Sequence, residues 1–267
     1  MSDLQQKQSK HSPSPWPSPQ KERVDARLVE IFSSIQGEGM RIGERQSFIR
    51  FQGCELKCRW CDTPENFTYQ PEYRVETEAF LGHWEKFKNP VSTTEVWSWI
   101  EKFSDPMVSL TGGEPLQQVE FLQELLNQNQ KGRPFLLETS GVLPEALEKI
   151  VGEIYTVSMD IKLPSSAQTG EFWPEHEAFL KIAQKAPELY VKIVVTESTL
   201  ASELEKALNL VKSISEDIPV ILQPASQTRA FKASPSSATL AELSKVALKS
   251  YRNIRIIPQT HKFLGIA

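Results

Sequence analysis

From Arg27 onward, short apolar runs alternate with longer stretches in which apolar positions recur at helical spacing. "RLVEIFSSIQGEG" and "SFIRFQG" read as strands, and "STTEVWSWIEKF" follows with a Ser/Thr start signal and with Val96, Trp99, Ile100 and Phe103 on one helical face. "MVSLTGGEP" is a short buried strand entering a glycine turn, and "VEFLQELLNQNQKG" is an amphipathic helix with Gly132 as its stop. The same alternation continues through "PFLLETSG", "PEALEKIV", "IYTVSMDIK", "EHEAFLKIAQKA", "LYVKIVVT", "SELEKALNLVKSI", "IPVILQP", "LAELSKVALKS" and "NIRIIPQ".

Strands followed by helices in succession imply an α/β fold with a parallel sheet, curled into a partial or full barrel, whose chemistry lies at the C-terminal strand ends. Every motif below is expected at such an end. No internal repeat is visible, and Glu65 to Pro90, rich in aromatics and charges, reads as a long loop or insertion. Residues 1–25 are dominated by Ser, Pro, Gln and Lys and read as a disordered extension, leaving 26–267 as one catalytic domain.

Composition narrows the class. A hydrophobic share of 39% suits a globular chain, and a net charge of -4 offers no basic footprint for a nucleic-acid backbone. No apolar run approaches the ~20 residues that cross a bilayer, and the N-terminus lacks a secretory pattern, so a cytoplasmic protein without membrane or nucleic-acid partners is expected.

All three cysteines, Cys54, Cys58 and Cys61, fall in "GCELKCRWCDTP" directly after a predicted strand. Three thiols cannot all pair as disulfides, and their clustering points to metal. The C-x3-C-x2-C spacing suits three corners of a cubane iron–sulfur cluster with one iron left open. A structural zinc site, with His11, His83, His176 or His261 as fourth ligand, is the competing reading and would make the chain a zinc-stabilised binding module.

With "LTGGEP" about fifty residues downstream, the cysteine loop resembles the signature of the radical S-adenosylmethionine superfamily. The resemblance implies a partial (β/α)6-type barrel, a [4Fe–4S] cluster on Cys54, Cys58 and Cys61, and S-adenosylmethionine as cofactor. It assigns the cofactor to Trp60, Asp62, Gly112, Gly113 and Glu114, and to the strand ends carrying Glu138, Ser140, Asp160, Lys162, Gln223 and Ser226. Lys162 is there a partner for the methionine carboxylate, and Glu114 for its amino group.

"SSIQGEG", "FIRFQGCELKCRWCDT", "SLTGGEPL" and the terminal "PQTHKFLGIA" together resemble the 7-carboxy-7-deazaguanine synthase family of that superfamily, across residues 26–267. Such enzymes contract 6-carboxy-5,6,7,8-tetrahydropterin to 7-carboxy-7-deazaguanine with loss of ammonia, in queuosine and 7-deazapurine biosynthesis. The resemblance implies magnesium on Thr63, a substrate site of Ile35, Gln36, Gly37, Glu38, Arg50, Thr111, His261 and the Ala267 carboxylate, a flavodoxin or ferredoxin as electron donor, and a homodimer.

Each of these residues also has a plain reading. Arg50 can offer a bidentate fork to a carboxylate or be a surface strand Arg; Gln36 and Glu38 can meet an amino-pyrimidinone edge or belong to an ordinary turn. Thr111 is otherwise a β-former, Thr63 a turn-capping hydroxyl, and the apolar tail a segment packed on the barrel. A glycyl-radical-activating enzyme shares the cysteine loop and GGEP but not Q-G-E-G with a terminal T-H-K.

Overall fold

The structure is a computed structural model describing residues 24–63 and 67–266. The elements in chain order are β1 (Asp25–Ala26), β2 (Leu28–Ile35), β3 (Arg45–Phe51), β4 (Glu72–Glu78), β5 (His83–Lys88), β6 (Val91–Ser92), α1 (Thr93–Ile100), β7 (Met107–Gly112) and α2 (Val119–Asn127). They continue with β8 (Phe135–Thr139), α3 (Pro144–Glu148), β9 (Thr156–Asp160), α4 (Pro164–Ala167), α5 (Trp173–Ala183), β10 (Glu188–Val195), α6 (Ala201–Ile214), β11 (Val220–Pro224), α7 (Ser237–Ser250), β12 (Ile254–Ile256) and α8 (Thr260–Leu264).

One sheet carries ten of the strands, in the order β12-β11-β10-β9-β8-β7-β3-β2-β4-β5. From β3 to β12 every neighbouring pair is parallel. The connecting helices cover the outer face, and the interleaved strands bury apolar residues in succession, such as Leu136 and Leu137, Val194 and Val195, and Ile221 and Leu222. Local signals set the helix boundaries. The Ser92 hydroxyl accepts from Glu95 N at 3.3 Å and starts α1, while Trp97 turns inward and donates to Leu125 O at 3.1 Å. The helix α2 stops at Asn127, ahead of Gly132, which instead takes a positive φ in the following turn.

Three expectations change. The stretch from Glu65 to Pro90 is no structureless loop: it contains the β4–β5 hairpin, whose β4 adds to the outer side of β2. Asp25 already pairs with Ser92, so regular structure begins inside the segment expected to be disordered, whose residues 1–23 lie outside the described residues. Finally, β2 runs antiparallel to β3, with Ile35 opposite Arg45, the first residue of β3. "QGEG" therefore leaves its strand at the opposite edge from the other motifs, and the following turn crosses beneath the sheet. There Arg41 Nε donates to Thr156 Oγ1 at 3.0 Å and to Glu188 Oε2 at 3.1 Å, at the first residues of β9 and β10.

Candidate active site

A cavity of about 530 Å³ opens on the concave side of the sheet, touched by residues from Phe32 on β2 to Gln223 on β11. Strands so far apart can share one cavity only because the sheet curls around it. All the residues assigned in the sequence to cluster, cofactor, magnesium or substrate line it except Glu114, which lies behind the wall, and Ala267, which lies outside the described residues; of the histidines named as zinc ligands only His261 does, His11 lying outside the described residues.

The cysteine loop and the glycine turn are stitched together through the backbone. Gly113 N donates to Phe51 O at 3.0 Å and Glu114 N to Gly53 O at 2.7 Å. A Cβ on Gly113 would collide with the Gly53 carbonyl, so only glycine permits this approach. Glu114 is fully buried and spends its carboxylate internally: Oε1 accepts from Leu116 N and Thr139 Oγ1, and Oε2 from Ser140 N at 2.7 Å. Burial, with Glu55 nearby, raises its pKa to about 7 against the pull of those bonds. Its placement ties the end of β7 to the end of β8, behind the residues that line the cavity.

Burial pushes the Cys54 thiol up to about 12 and raises Cys58 and Cys61, while Lys162 pulls all three down. Metal-free, the thiols stay protonated, so ligation must release protons. Among the described residues no group of three or more His, Cys, Asp or Glu converges tightly enough to hold a single metal ion. The zinc reading also loses a candidate ligand: His176 is buried, with Nε2 accepting from Lys162 N at 3.2 Å and Nδ1 donating to Gly141 O at 3.0 Å. Burial, with Lys162 adding to it, lowers that imidazole to about 4.

Across the cavity runs a chain of charged and amide groups. Lys162 Nζ lies 4.6 Å from the Trp60 ring centroid and donates to Asp160 Oδ2 at 2.5 Å. Lys192 Nζ pairs with Glu38 Oε2 and lies 3.6 Å from Asp160 Oδ1. Gln259 Nε2 donates to Glu38 Oε1 at 2.7 Å and to Asp62 Oδ2 at 2.9 Å, and Lys262 pairs with that same Asp62 oxygen at 2.8 Å. Despite the upward push of burial, Lys192, Gln259 and His261 hold the Glu38 carboxyl down at about 2. Lys192 in turn is raised well above its ordinary value by Asp160 and Glu38, against burial.

On the opposite wall Glu138 Oε1 accepts from Gln36 Nε2 at 2.9 Å and its Oε2 from Thr111 Oγ1 at 2.7 Å. Glu138, expected with the cofactor group, thus bonds directly to two residues of the expected substrate group. Arg50 lies over the Phe32 ring, which stacks on Phe48 with centroids 4.9 Å apart. Thr260 N donates to Gly37 O at 2.8 Å, and a Cβ on Gly37 would strike the His261 ring. Thr63 Oγ1 sits 3.8 Å from Cys61 Sγ. The tail is not packed as a plug: Phe263 and Leu264 are exposed at 80% and 60%, while Ile266 reaches the cavity.

Lys192 went unnoticed in the sequence, and Gln259 and Lys262 were quoted within "PQTHKFLGIA" without a site role. A lone Lys inside the apolar run "LYVKIVV" is the one signal that was present, because a strand buried on both faces keeps a charge only when it is paired. Two further observations bear on whether a ligand fits. Trp60 and Gln223 line the cavity, and their buried Nε1 and Oε1 have no hydrogen-bond partner among the described residues. Such groups are costly to leave unmade unless a ligand meets them.

A curled parallel sheet with clustered thiols after its first parallel strand and a Gly-Gly turn after the next defines a radical S-adenosylmethionine protein, and the Radical SAM superfamily model matches residues 48–201. That class carries a [4Fe–4S] cluster and uses S-adenosylmethionine. A 7-carboxy-7-deazaguanine synthase of Geobacter sulfurreducens is 39% identical over 249 residues, covering 90% of this chain and 97% of the relative. Its namesake in Thermococcus kodakarensis is 31% identical, with 90% and 98% covered. The chain belongs to the 7-carboxy-7-deazaguanine synthase family. Among solved structures, QueE from Escherichia coli shares the fold at a TM-score of 0.56 and 21% identity, covering 89% of this chain and 95% of that one. Streptococcus suis SuiB bound to S-adenosylmethionine does so at 0.52 and 13%, covering 79% and 51%.

Proposed function

We propose that this chain converts 6-carboxy-5,6,7,8-tetrahydropterin to 7-carboxy-7-deazaguanine with loss of ammonia, as a carbon–nitrogen lyase. One observation carries the reading. The cysteine loop, the strand ends from Gly112 to Ser226 and the group Gln36, Glu38, Arg50 and Thr111 all face one continuous cavity. Its volume lies within the range of small-molecule sites, and its walls leave donors and acceptors unspent.

In this reading Cys54, Cys58 and Cys61 hold the cluster, with Thr63 beside them for magnesium. Gly112, Gly113, Ser140, Asp160, Lys162, Gln223 and Ser226 hold S-adenosylmethionine, with Trp60 and Asp62 on the cluster loop. When bound, the cluster and cofactor supply a 5′-deoxyadenosyl radical for hydrogen abstraction. The chain's own groups orient the substrate and exclude water. Glu38, kept ionised by Lys192, is an acceptor for the N–H donors of an amino-pyrimidinone edge, and Gln36 adds an amide beside it. Arg50 is the cation for the substrate carboxylate, and the stacked Phe32 and Phe48 rings make an apolar wall. Ile35, Gly37, Thr111 and His261 complete this side, with the Ala267 carboxylate as a further acceptor.

A glycyl-radical-activating enzyme would need an open groove for a protein backbone. Here the Thr260–Gly37 bond and the Lys262–Asp62 pair cross the mouth. No helix among the described residues is long and apolar enough to cross a membrane. A cytoplasmic homodimer reduced by a flavodoxin or ferredoxin completes the proposal. The test is anaerobic incubation of the reconstituted protein with S-adenosylmethionine, magnesium, reductant and the carboxy-tetrahydropterin. Appearance of the deazaguanine chromophore is the expected result, and cofactor cleavage without that product would overturn the substrate assignment.

A further inference from the structure

The β4–β5 hairpin contributes no residue to the cavity wall among the described residues, yet it is wired to the one Arg that faces it from β3. In the sheet Glu30 of β2 lies opposite Arg50 of β3 on one side and opposite Arg74 of β4 on the other. Arg50 Nε donates to Glu30 Oε1 at 2.7 Å. Arg74 donates to the second oxygen through Nε at 2.8 Å and Nη2 at 2.6 Å. The Glu30 side chain is only 6% exposed, Arg50 17% and Arg74 51%. The Arg74 guanidinium is held in place by the Trp84 ring, 4.2 Å from its centroid, and Trp84 in turn packs on Phe32 in the cavity wall.

An arginine paired with one buried carboxylate forms a neutral couple, and an incoming anion would feel Glu30 behind Arg50 almost as strongly as Arg50 itself. A second cation on the far side of Glu30 changes the sum. The row Arg50–Glu30–Arg74 carries a net charge of about +1 instead of zero, and the carboxylate is oriented by donors on both its oxygens. Within the cavity Glu138 and Asp62 already oppose the charge of Arg50. We propose that Arg74 is a positioning and specificity-determining residue for an anionic substrate group: by offsetting Glu30 it keeps that carboxylate from cancelling the positive charge that Arg50 turns to the cavity. This rests on the reading that Arg50 meets the substrate carboxylate.

The experiment uses the full cluster-loaded chain and measures KM and kcat for 6-carboxy-5,6,7,8-tetrahydropterin in the parent, Arg74→Gln, Arg74→Lys and Arg50→Gln. Arg74 is half exposed, so its substitution does not open the core, and cluster content and thermal midpoint check this. Arg74→Gln is expected to raise the substrate KM about fivefold, the effect of one charge at second-neighbour distance, leaving kcat and the KM for S-adenosylmethionine within about twofold. The gap should narrow as salt rises from about 0.05 to 0.5 M, because Arg74 is partly solvated. Arg74→Lys should keep the parent KM. An unaltered substrate KM in Arg74→Gln, with Arg50→Gln raising it, overturns this role alone. Arg74→Lys as impaired as Arg74→Gln also overturns it, by making the contact one of stacking on Trp84. If Arg50→Gln changes nothing, the carboxylate reading falls and this inference falls with it.

Discussion

Replacing Lys192 by Met removes the cation at the centre of the polar chain while keeping the length of the side chain. Lys192 is 9% exposed, Glu38 16% and Asp160 15%, so the loss leaves two nearly buried carboxylates, Asp160 still paired with Lys162 and Glu38 with only Gln259 and His261 beside it. Glu38 measures what is lost. Its pKa stands at about 2 against an ordinary 4.5, although burial alone would raise it. A shift of that size corresponds to about 3 kcal/mol, the same order as the roughly 3–5 kcal/mol for breaking a buried ion pair by removing one partner. For a chain of this size that is a fall in thermal midpoint of about 5–10 °C.

The sign with pH follows from the same groups. In the parent, the depressed Glu38 contributes stability that is present above 4.5 and lost as pH falls through about 2. In the variant, burial, the largest influence, is opposed only by Gln259 and His261, so the Glu38 pKa climbs from its depressed value and the folded state is penalised increasingly as pH rises through the new value. The deficit is therefore largest near pH 8 and shrinks toward pH 5. Scanning calorimetry of cluster-loaded parent and Lys192→Met at those two pH values measures it, and adding Glu38→Gln should recover part of the loss. A deficit under about 2 °C, or one equal at both pH values, would refute the assignment of a buried, obligatory charge pair.

His176, neutral in the fold with a pKa of about 4, costs stability as pH falls from 6.5 toward 4, because only the unfolded chain then takes up the proton. His176→Asn should flatten the acid limb of the stability profile and raise the KM for S-adenosylmethionine; an unchanged limb returns that limb to other groups. Gly37→Ala places a methyl against the His261 ring and should raise the pterin KM roughly tenfold or more while the iron content stays unchanged; parent-like kinetics would mean the α8 segment is free to move away. Thr63→Ala should spare the cluster and weaken magnesium stimulation, and a parent-like magnesium titration returns Thr63 to a turn-capping role.

The cysteine loop and the glycine turn were legible because their requirements are local: ligand spacing and close backbone approach are both written in consecutive residues. The direction of "SSIQGEG" was not, since nothing within "LVEIFSSI" says whether β2 joins its neighbour parallel or antiparallel. That choice is made by the short turn to β3 and by the pairing of Ile35 with Arg45. Glu114 illustrates a different limit. Its motif placed it at the right strand end, but which way a carboxylate turns depends on Ser140 and Thr139, far away in sequence on β8. Glu30 and Lys192 are charges inside apolar runs, yet their partners are not written nearby: Arg74 reaches Glu30 only through the pairing of β4 with β2, and Glu38 meets Lys192 across 154 residues of sequence.

The closure of the mouth shows how the same sequence can be both fixed and easily released. The apolar tail read plainly as a segment packed on the barrel, but Phe263 and Leu264 face solvent and the inward contacts are made by Gln259, Thr260, His261, Lys262 and Ile266. The outermost of these, the Lys262–Asp62 pair, joins side chains exposed at 31% and 32%, and ion pairs in such settings stabilise by only about 0–1 kcal/mol. The inner one, Gln259 on Glu38 and Asp62, uses a neutral amide as donor, each bond to a carboxylate being worth about 1.5–3 kcal/mol. Neither adds much to the apolar core of the sheet, whose buried strands supply the bulk of the stability. A segment attached by a few polar contacts can be displaced one bond at a time, whereas one sealed by two large apolar side chains would oppose opening by the full transfer energy of both, about 4 kcal/mol or more. Placing the polar face of α8 inward therefore joins the cluster loop, through Asp62, to the substrate side, through Glu38, without locking the cavity shut.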